Sequence, residues 1–135
     1  MAGKTQLLPV VCTAGLCIDP DQRLLVIRRT KQPRASAWSL PGGRLHFGER
    51  AEVGVLRELV EETGLLGRRA TMIGTHQHID PEHHLIVLIH RVEGLSGSMH
   101  PGDDAAEAAW VPLSSLTPQN STFDLFVAAL KANSK

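Results

Sequence analysis

The chain has 135 residues, enough for one compact domain with its own core and too few for two, so a single domain over residues 1–135 is expected. With 42% apolar and 21% charged residues and no low-complexity tract, its composition excludes intrinsic disorder. Fourteen basic residues balance fourteen acidic ones, which excludes the net field that would recruit a nucleic acid polymer or an anionic membrane; an anionic small molecule must be held by local groups.

Leu7 to Ile18 is a twelve-residue, almost wholly apolar run after Lys4. A secretory h-region needs a more basic start and a small-residue cleavage site, and this length cannot span a bilayer, so the run reads as a buried strand. The turn Asp19-Pro20-Asp21-Gln22 leads into a second apolar run, Leu24 to Ile27, and the two runs together predict a β-hairpin. Cys12 and Cys17 have neither metal-ligand spacing nor the density of a disulfide scaffold, which points to a reducing cytoplasm.

From Lys31 to Gly48, Pro33, Pro41, Gly42, Gly43 and Gly48 forbid a long regular element. Arg50 to Thr63 predicts a helix, with Gly64 as its C-terminal stop and no side-chain N-cap at Arg50. Two strands follow, Ala70 to Ile79 and His84 to Val92, around the turn Asp80-Pro81-Glu82. Ala108 to Pro112 predicts a short strand and Thr122 to Ala132 a terminal helix. Strands that precede, flank and follow one central helix imply an α+β fold, an α/β/α sandwich rather than a parallel doubly wound sheet.

On a wheel of about 100° per residue, Val53, Val55, Leu56, Leu59 and Val60 share an apolar arc, which is the expected buried face. Glu58, Glu61 and Glu62 share a separate arc, because i, i+3 and i+4 positions lie one above another. Like charges at that spacing repel, and acids near a helix C-terminus oppose the macrodipole. A hard divalent cation such as magnesium or manganese offsets both effects; an ordinary solvated acidic face is the alternative. Gly54 falls on the acidic arc one turn before Glu58, where its small size suggests room for a ligand. The Pro41-Gly42-Gly43 turn lets backbone approach a phosphate or offer a carbonyl to a metal.

Gly43, Glu49, Arg57, Glu58, Leu59, Glu61, Glu62, Gly64 and Leu65 match the pattern GX5EX7REUXEEXGU, U being a bulky aliphatic residue. The chain therefore resembles the Nudix hydrolases, and Trp38-Ser39-Leu40-Pro41 and Ala109-Trp110-Val111-Pro112-Leu113 extend the likeness over nearly its whole length. The resemblance implies an α/β/α sandwich with a mixed central sheet and a catalytic loop-helix-loop. It also implies cleavage of a nucleoside diphosphate linked to another moiety, with Mg2+ or Mn2+. Carried onto these residues, it makes Glu58, Glu61 and Glu62, with the Gly43 carbonyl, the metal ligands. Glu49 and Arg57 become braces, and Glu58 or Glu61 the general base. An additional acid before the late strand would come from Asp103, Asp104 or Glu107, the last two being better placed.

Substrate choice lies outside this pattern. Pro81, sixteen residues after Leu65, is similar to a marker of the ADP-ribose pyrophosphatase-like branch, although a hairpin turn also favours Pro. ADP-ribose or a related ADP-linked compound is the favoured substrate, with nucleoside triphosphate cleavage or non-catalytic nucleotide binding as alternatives. Arg28 or its neighbour Arg29, Arg34 and Arg44 are candidates to meet the phosphates, and Trp38 could stack on a base or serve the core. His76, His78, His83, His84 and His90 cluster around the later hairpin without zinc-site spacing, and read as substrate contacts or exposed residues. The expected partner is a small-molecule nucleotide, and the reading leaves room for a homodimer.

Overall fold

The computed structural model describes residues 7–30, 34–100 and 105–134. In chain order the elements are β1 (Val10–Leu16), β2 (Arg23–Arg29), β3 (Trp38–Ser39), β4 (Gly42–Arg44), α1 (Ala51–Thr63), β5 (Arg69–Ile79), β6 (His84–Glu93), β7 (Ala105–Pro112) and α2 (Phe123–Asn133). One sheet has the order β4-β1-β6-β5 and is mixed, because β1 runs parallel to β6 and antiparallel to β4. The other, β3-β2-β7, is antiparallel. This is the expected α+β sandwich.

The apolar runs are buried on two faces from Thr13 to Cys17 and from Leu24 to Ile27, which explains why these stretches lack alternation, whereas Leu7, Leu8, Val11 and Ile18 of the first run are exposed. Leu24 and Val26 of β2 join Ala14, Leu16, Val87 and Ile89 in a core closed by Leu125, Phe126 and Ala129 of α2. Leu25, between them on the opposite face, packs with Cys17, Leu65, Val92, and Val55 and Leu59 of α1. The two helices thus cover opposite sides of the strands. Cys12 and Cys17 belong to these opposite layers, and both are free thiols.

The expected β1–β2 hairpin is not formed. The strands meet only at the turn between them, where Ile18 bridges Leu24 and the Leu25 amide donates to the Cys17 carbonyl at 3.0 Å. They then part into different sheets, because the edges of β1 are taken by β4 and β6 and those of β2 by β3 and β7. By contrast β5 and β6 form the hairpin expected of them. Pro81 lies inside its turn, which Asp80 and His83 close by a backbone hydrogen bond of 2.9 Å.

The α1 helix begins at Arg50 without a side-chain cap and ends on Gly64 in the left-handed conformation, φ 78°. Its buried surface differs from the expected arc. Val55 and Leu59 are buried, but Val53 and Val60 are 56% and 42% exposed, whereas Ala51, Gly54, Glu58 and Glu62 are buried. The helix lies against β4 as well as against the core, so Glu58 and Glu62 of its acidic side are covered by protein while Glu61 stays exposed.

Candidate active site

The packing of α1 on β4 places the acidic arc beside the Gly42-Gly43 backbone. A Cβ on Gly43 would lie 2.8 Å from the Glu58 carboxylate, and one on Gly42 would overlap the Thr13 carbonyl oxygen. Only glycine permits this approach. The Gly42 amide donates to Glu62 Oε1 at 2.7 Å, which anchors that carboxylate although it is 4% exposed.

Arg57 ties the remaining acids together. Its Nε and Nη2 donate to the two Glu49 oxygens at 2.7 and 3.0 Å, a bidentate pair, while Nη1 reaches Glu58 at 2.9 Å and Glu61 at 3.3 Å. Nη2 also bonds the Arg44 carbonyl at 3.2 Å. Glu49 accepts in addition from the His46 amide at 3.1 Å. The Arg57 hydrogen bonds, helped by this amide, hold the Glu49 carboxyl down at about 2, and the Glu49 hydrogen bond in turn pushes Arg57 above the ordinary arginine value. The loop after β4 is thereby clamped to the helix.

Gly54 does not supply the open space expected of it. A Cβ there would meet Glu49 Oε1 and Leu45 Cδ1, each at 2.9 Å. The glycine makes room for the clamp rather than for a ligand.

These groups wall one lobe of a cleft. The lobe has a volume of about 420 Å³ and is lined by Glu58, Glu61, Glu62, Arg57, Gly42, Gly43, Arg44 and His46, by Cys12 on the sheet floor, and by His83. Burial pushes the Cys12 thiol upward, so it is a neutral part of that floor. A second lobe of about 390 Å³ is lined by Arg34, His76, His78, Thr122, Phe123 and Asp124. Arg29, Ser39, Leu85, Val87 and Leu125 line both, so the lobes adjoin.

Of the candidate residues, Glu58, Glu61, Glu62, Gly43, Arg57 and Arg44 are brought together in the first lobe, with Glu49 behind Arg57, and Arg34 borders the second. Arg28 and Glu107 line neither lobe. They pair with each other at 2.8 Å, and Arg28 also covers the Trp38 ring at 4.1 Å from its centroid. Adjacent strand residues face opposite ways, so the arginine that this strand end turns to the cleft is Arg29. Trp38 packs against the core and under Arg28, not in the cleft. Asp103 and Asp104 lie outside the described residues.

His76 and His78 face the second lobe together, as alternation predicts. His90 is instead wholly buried. Among the described residues, no three His, Cys, Asp or Glu side chains converge closely enough to hold an ion by themselves. The grouping of Asp80 with His78 and His83 crosses a turn and was not apparent from spacing.

A family model described as NUDIX domain matches residues 9–130. An ADP-ribose pyrophosphatase of Methanocaldococcus jannaschii is 35% identical over 115 residues, 84% of this chain and 68% of that protein. A putative 8-oxo-dGTP diphosphatase of Bacillus subtilis is 33% identical over 100 residues, 71% of this chain and 62% of that protein. The crystal structure of a MutT NUDIX hydrolase from Burkholderia pseudomallei superposes with a TM-score of 0.79 at 30% identity, covering 92% of this chain and 98% of that one. Taken with the glycine-cradled, arginine-clamped carboxylates of α1, these likenesses establish that the chain belongs to the NUDIX family, as a hydrolase acting on nucleoside diphosphate derivatives.

Proposed function

We propose that this hydrolase, acting as one domain, cleaves the diphosphate of ADP-ribose or a related ADP-linked compound with magnesium or manganese bound. The observation that carries the reading is the two-lobed cleft. An ADP-linked substrate has a bulky group at each end of its diphosphate, and Arg29 borders two adjoining lobes. The M. jannaschii relative, named an ADP-ribose pyrophosphatase, supports the same choice.

The donor set suits a hard cation. Glu58, Glu61 and Glu62 offer only oxygen, and the Gly43 backbone sits within a methyl group's distance of the Glu58 carboxylate. With no three side chains converging among the described residues, such an ion would be completed by backbone, water and phosphate oxygens, as magnesium prefers. Bound there, it would neutralise charge on the diphosphate and acidify the attacking water. Arg57 and Glu49 hold Glu58 in place through fixed hydrogen bonds. Glu61, with its side chain 47% exposed and only a longer contact to Arg57, is the carboxylate best able to take a proton from water; Glu58 is the alternative base. Arg29 and Arg44 face the diphosphate from the cleft floor and rim, and Arg34 serves the second lobe. Water adds to one phosphorus as the bridging oxygen departs with the other, giving two phosphorylated products.

A second reading, nucleoside triphosphate pyrophosphohydrolysis, is favoured by the B. subtilis relative. Assays of ADP-ribose, NADH, diadenosine polyphosphates and nucleoside triphosphates with Mg2+ and Mn2+ decide between them. The proposal expects the highest kcat/KM on ADP-ribose or another ADP-linked compound. A preference for triphosphates selects the second reading, and ligand binding without turnover of any of them overturns both.

A further inference from the structure

The turn between β5 and β6 holds a cluster that the proposed reaction does not use. Asp80 Oδ2 faces His78 Nε2 at 2.8 Å and His83 Nδ1 at 3.1 Å, and Oδ1 faces His83 Nδ1 at 3.0 Å. Oδ1 also accepts the amides of Glu82 and His83 at 2.8 and 2.7 Å. The imidazole hydrogen bond of His78, reinforced by these amides and His83, holds the Asp80 carboxyl well below the usual carboxylate range, so it is ionised at neutral pH. An ionised carboxylate can only accept hydrogen bonds, so each ring nitrogen facing it must carry hydrogen. In neutral His83 the hydrogen is then on Nδ1, and Nε2 is a bare acceptor with no protein partner among the described residues.

His83 borders the same lobe as the acidic helix, but from the β6 side, two strands across from β4. At ordinary strand spacing the backbones are about 10 Å apart sideways, and because Arg44 and Val87 both pair with Cys12, His83 also lies four residues further along the strand direction. A substrate whose phosphates lie by Glu58 and Arg44 therefore brings to His83 the group linked beyond them. An acceptor nitrogen suits a hydroxyl and repels a phosphate oxygen, which has no hydrogen to donate.

Resting on the ADP-linked reading, we infer that Nε2 of His83 is a specificity contact that accepts a hydrogen bond from a hydroxyl of the sugar-like group linked to the diphosphate. Asp80 is the positioning residue that sets the tautomer. The Asp80-Pro81-Glu82-His83 turn is then more than a hairpin closure, because its carboxylate selects which substrates the cleft admits.

The test compares KM and kcat for ADP-ribose and a nucleoside triphosphate in three proteins. His83→Phe keeps the ring shape but removes the acceptor, and should raise KM for ADP-ribose about tenfold relative to the triphosphate, with little relative change in kcat. Asp80→Asn can retain the oxygen that accepts the turn amides while offering an N–H to His83, so Nε2 gains the hydrogen and preference shifts toward the triphosphate. Ring 15N shifts of the wild-type protein, measured without substrate, should place the His83 hydrogen on Nδ1. A hydrogen on Nε2, or parallel changes for both substrates in His83→Phe, overturns the inference while the ADP-linked reading stands. Wild-type turnover of triphosphates alone overturns both.

Discussion

The acidic wall of α1 and the histidine turn between β5 and β6 both hold a carboxylate in a fixed place, but with different partners. Glu49 is gripped by a guanidinium, which is always charged and can only donate. Asp80 is gripped by two imidazoles, each left with a second nitrogen whose hydrogen-bonding role depends on the first. The arginine clamp thus gives rigidity and charge balance, suited to the proposed role of a wall that meets the same diphosphate in every substrate. The imidazole clamp gives orientation with a choice of tautomer, suited to reading what differs between substrates.

The sharpest way to break this division is at the acidic wall. Glu62→Gln preserves volume and can still accept the Gly42 amide through its carbonyl oxygen, so the fold should be retained. Loss of one anionic oxygen donor is expected to lower kcat on the order of a hundredfold for every substrate alike. Steady-state kinetics with Mg2+ and Mn2+, alongside circular dichroism, checks this. Unchanged rates in a folded variant would remove the helix from the mechanism, and a loss confined to one substrate would mean that the acidic wall takes part in selection.

A smaller effect is expected from Arg57→Lys. The charge is kept, but the fork that spans Glu49, Glu58 and Glu61 becomes a single ammonium that cannot meet Glu49 bidentately. Glu58 then loses its fixed orientation, and kcat should fall about tenfold with KM less affected. A fall as large as that of Glu62→Gln would mean that Arg57 touches the substrate itself.

The two regions were not equally legible in the sequence. Three carboxylates at i, i+3 and i+4 declare a shared helix face because the spacing is local, and Gly64 marks where the helix stops. What lies opposite that face is not local. The wheel left Gly54 as open space because nothing in the spacing brings Glu49 and Leu45 back over the helix. The apolar pattern of β1 and β2 is the same whether they pair with each other or with four other strands, so the hairpin expectation had no means of choosing. Arg28 and Arg29 were equivalent by position, and only the registry of β2 with β3 and β7 turns one to Glu107 and the other to the cleft. The histidines are visible as a cluster, but the carboxylate that His78 and His83 share requires the turn to be closed.

The smallest expected effect concerns acid stability and tests whether the arginine clamp is structural. The Glu49 carboxyl lies at about 2 in the folded chain against 4.5 for the unperturbed group, chiefly because Arg57 donates to it. The unfolded chain therefore binds the proton more readily, so the stability contributed by this group is complete above pH 4.5 and lost as pH falls toward about 2. Denaturant titrations at intervals through that window should show wild-type stability declining with acid. Glu49→Gln, which has no proton to gain, should lower stability at pH 7 yet decline less steeply over the same window. Parallel slopes for the two proteins would mean that Glu49 titrates alike folded and unfolded, and that the Arg57 bidentate pair does not hold in solution. A flattened slope would leave the guanidinium clamp as a structural brace of the acidic wall, independent of the proposed role of the histidine turn.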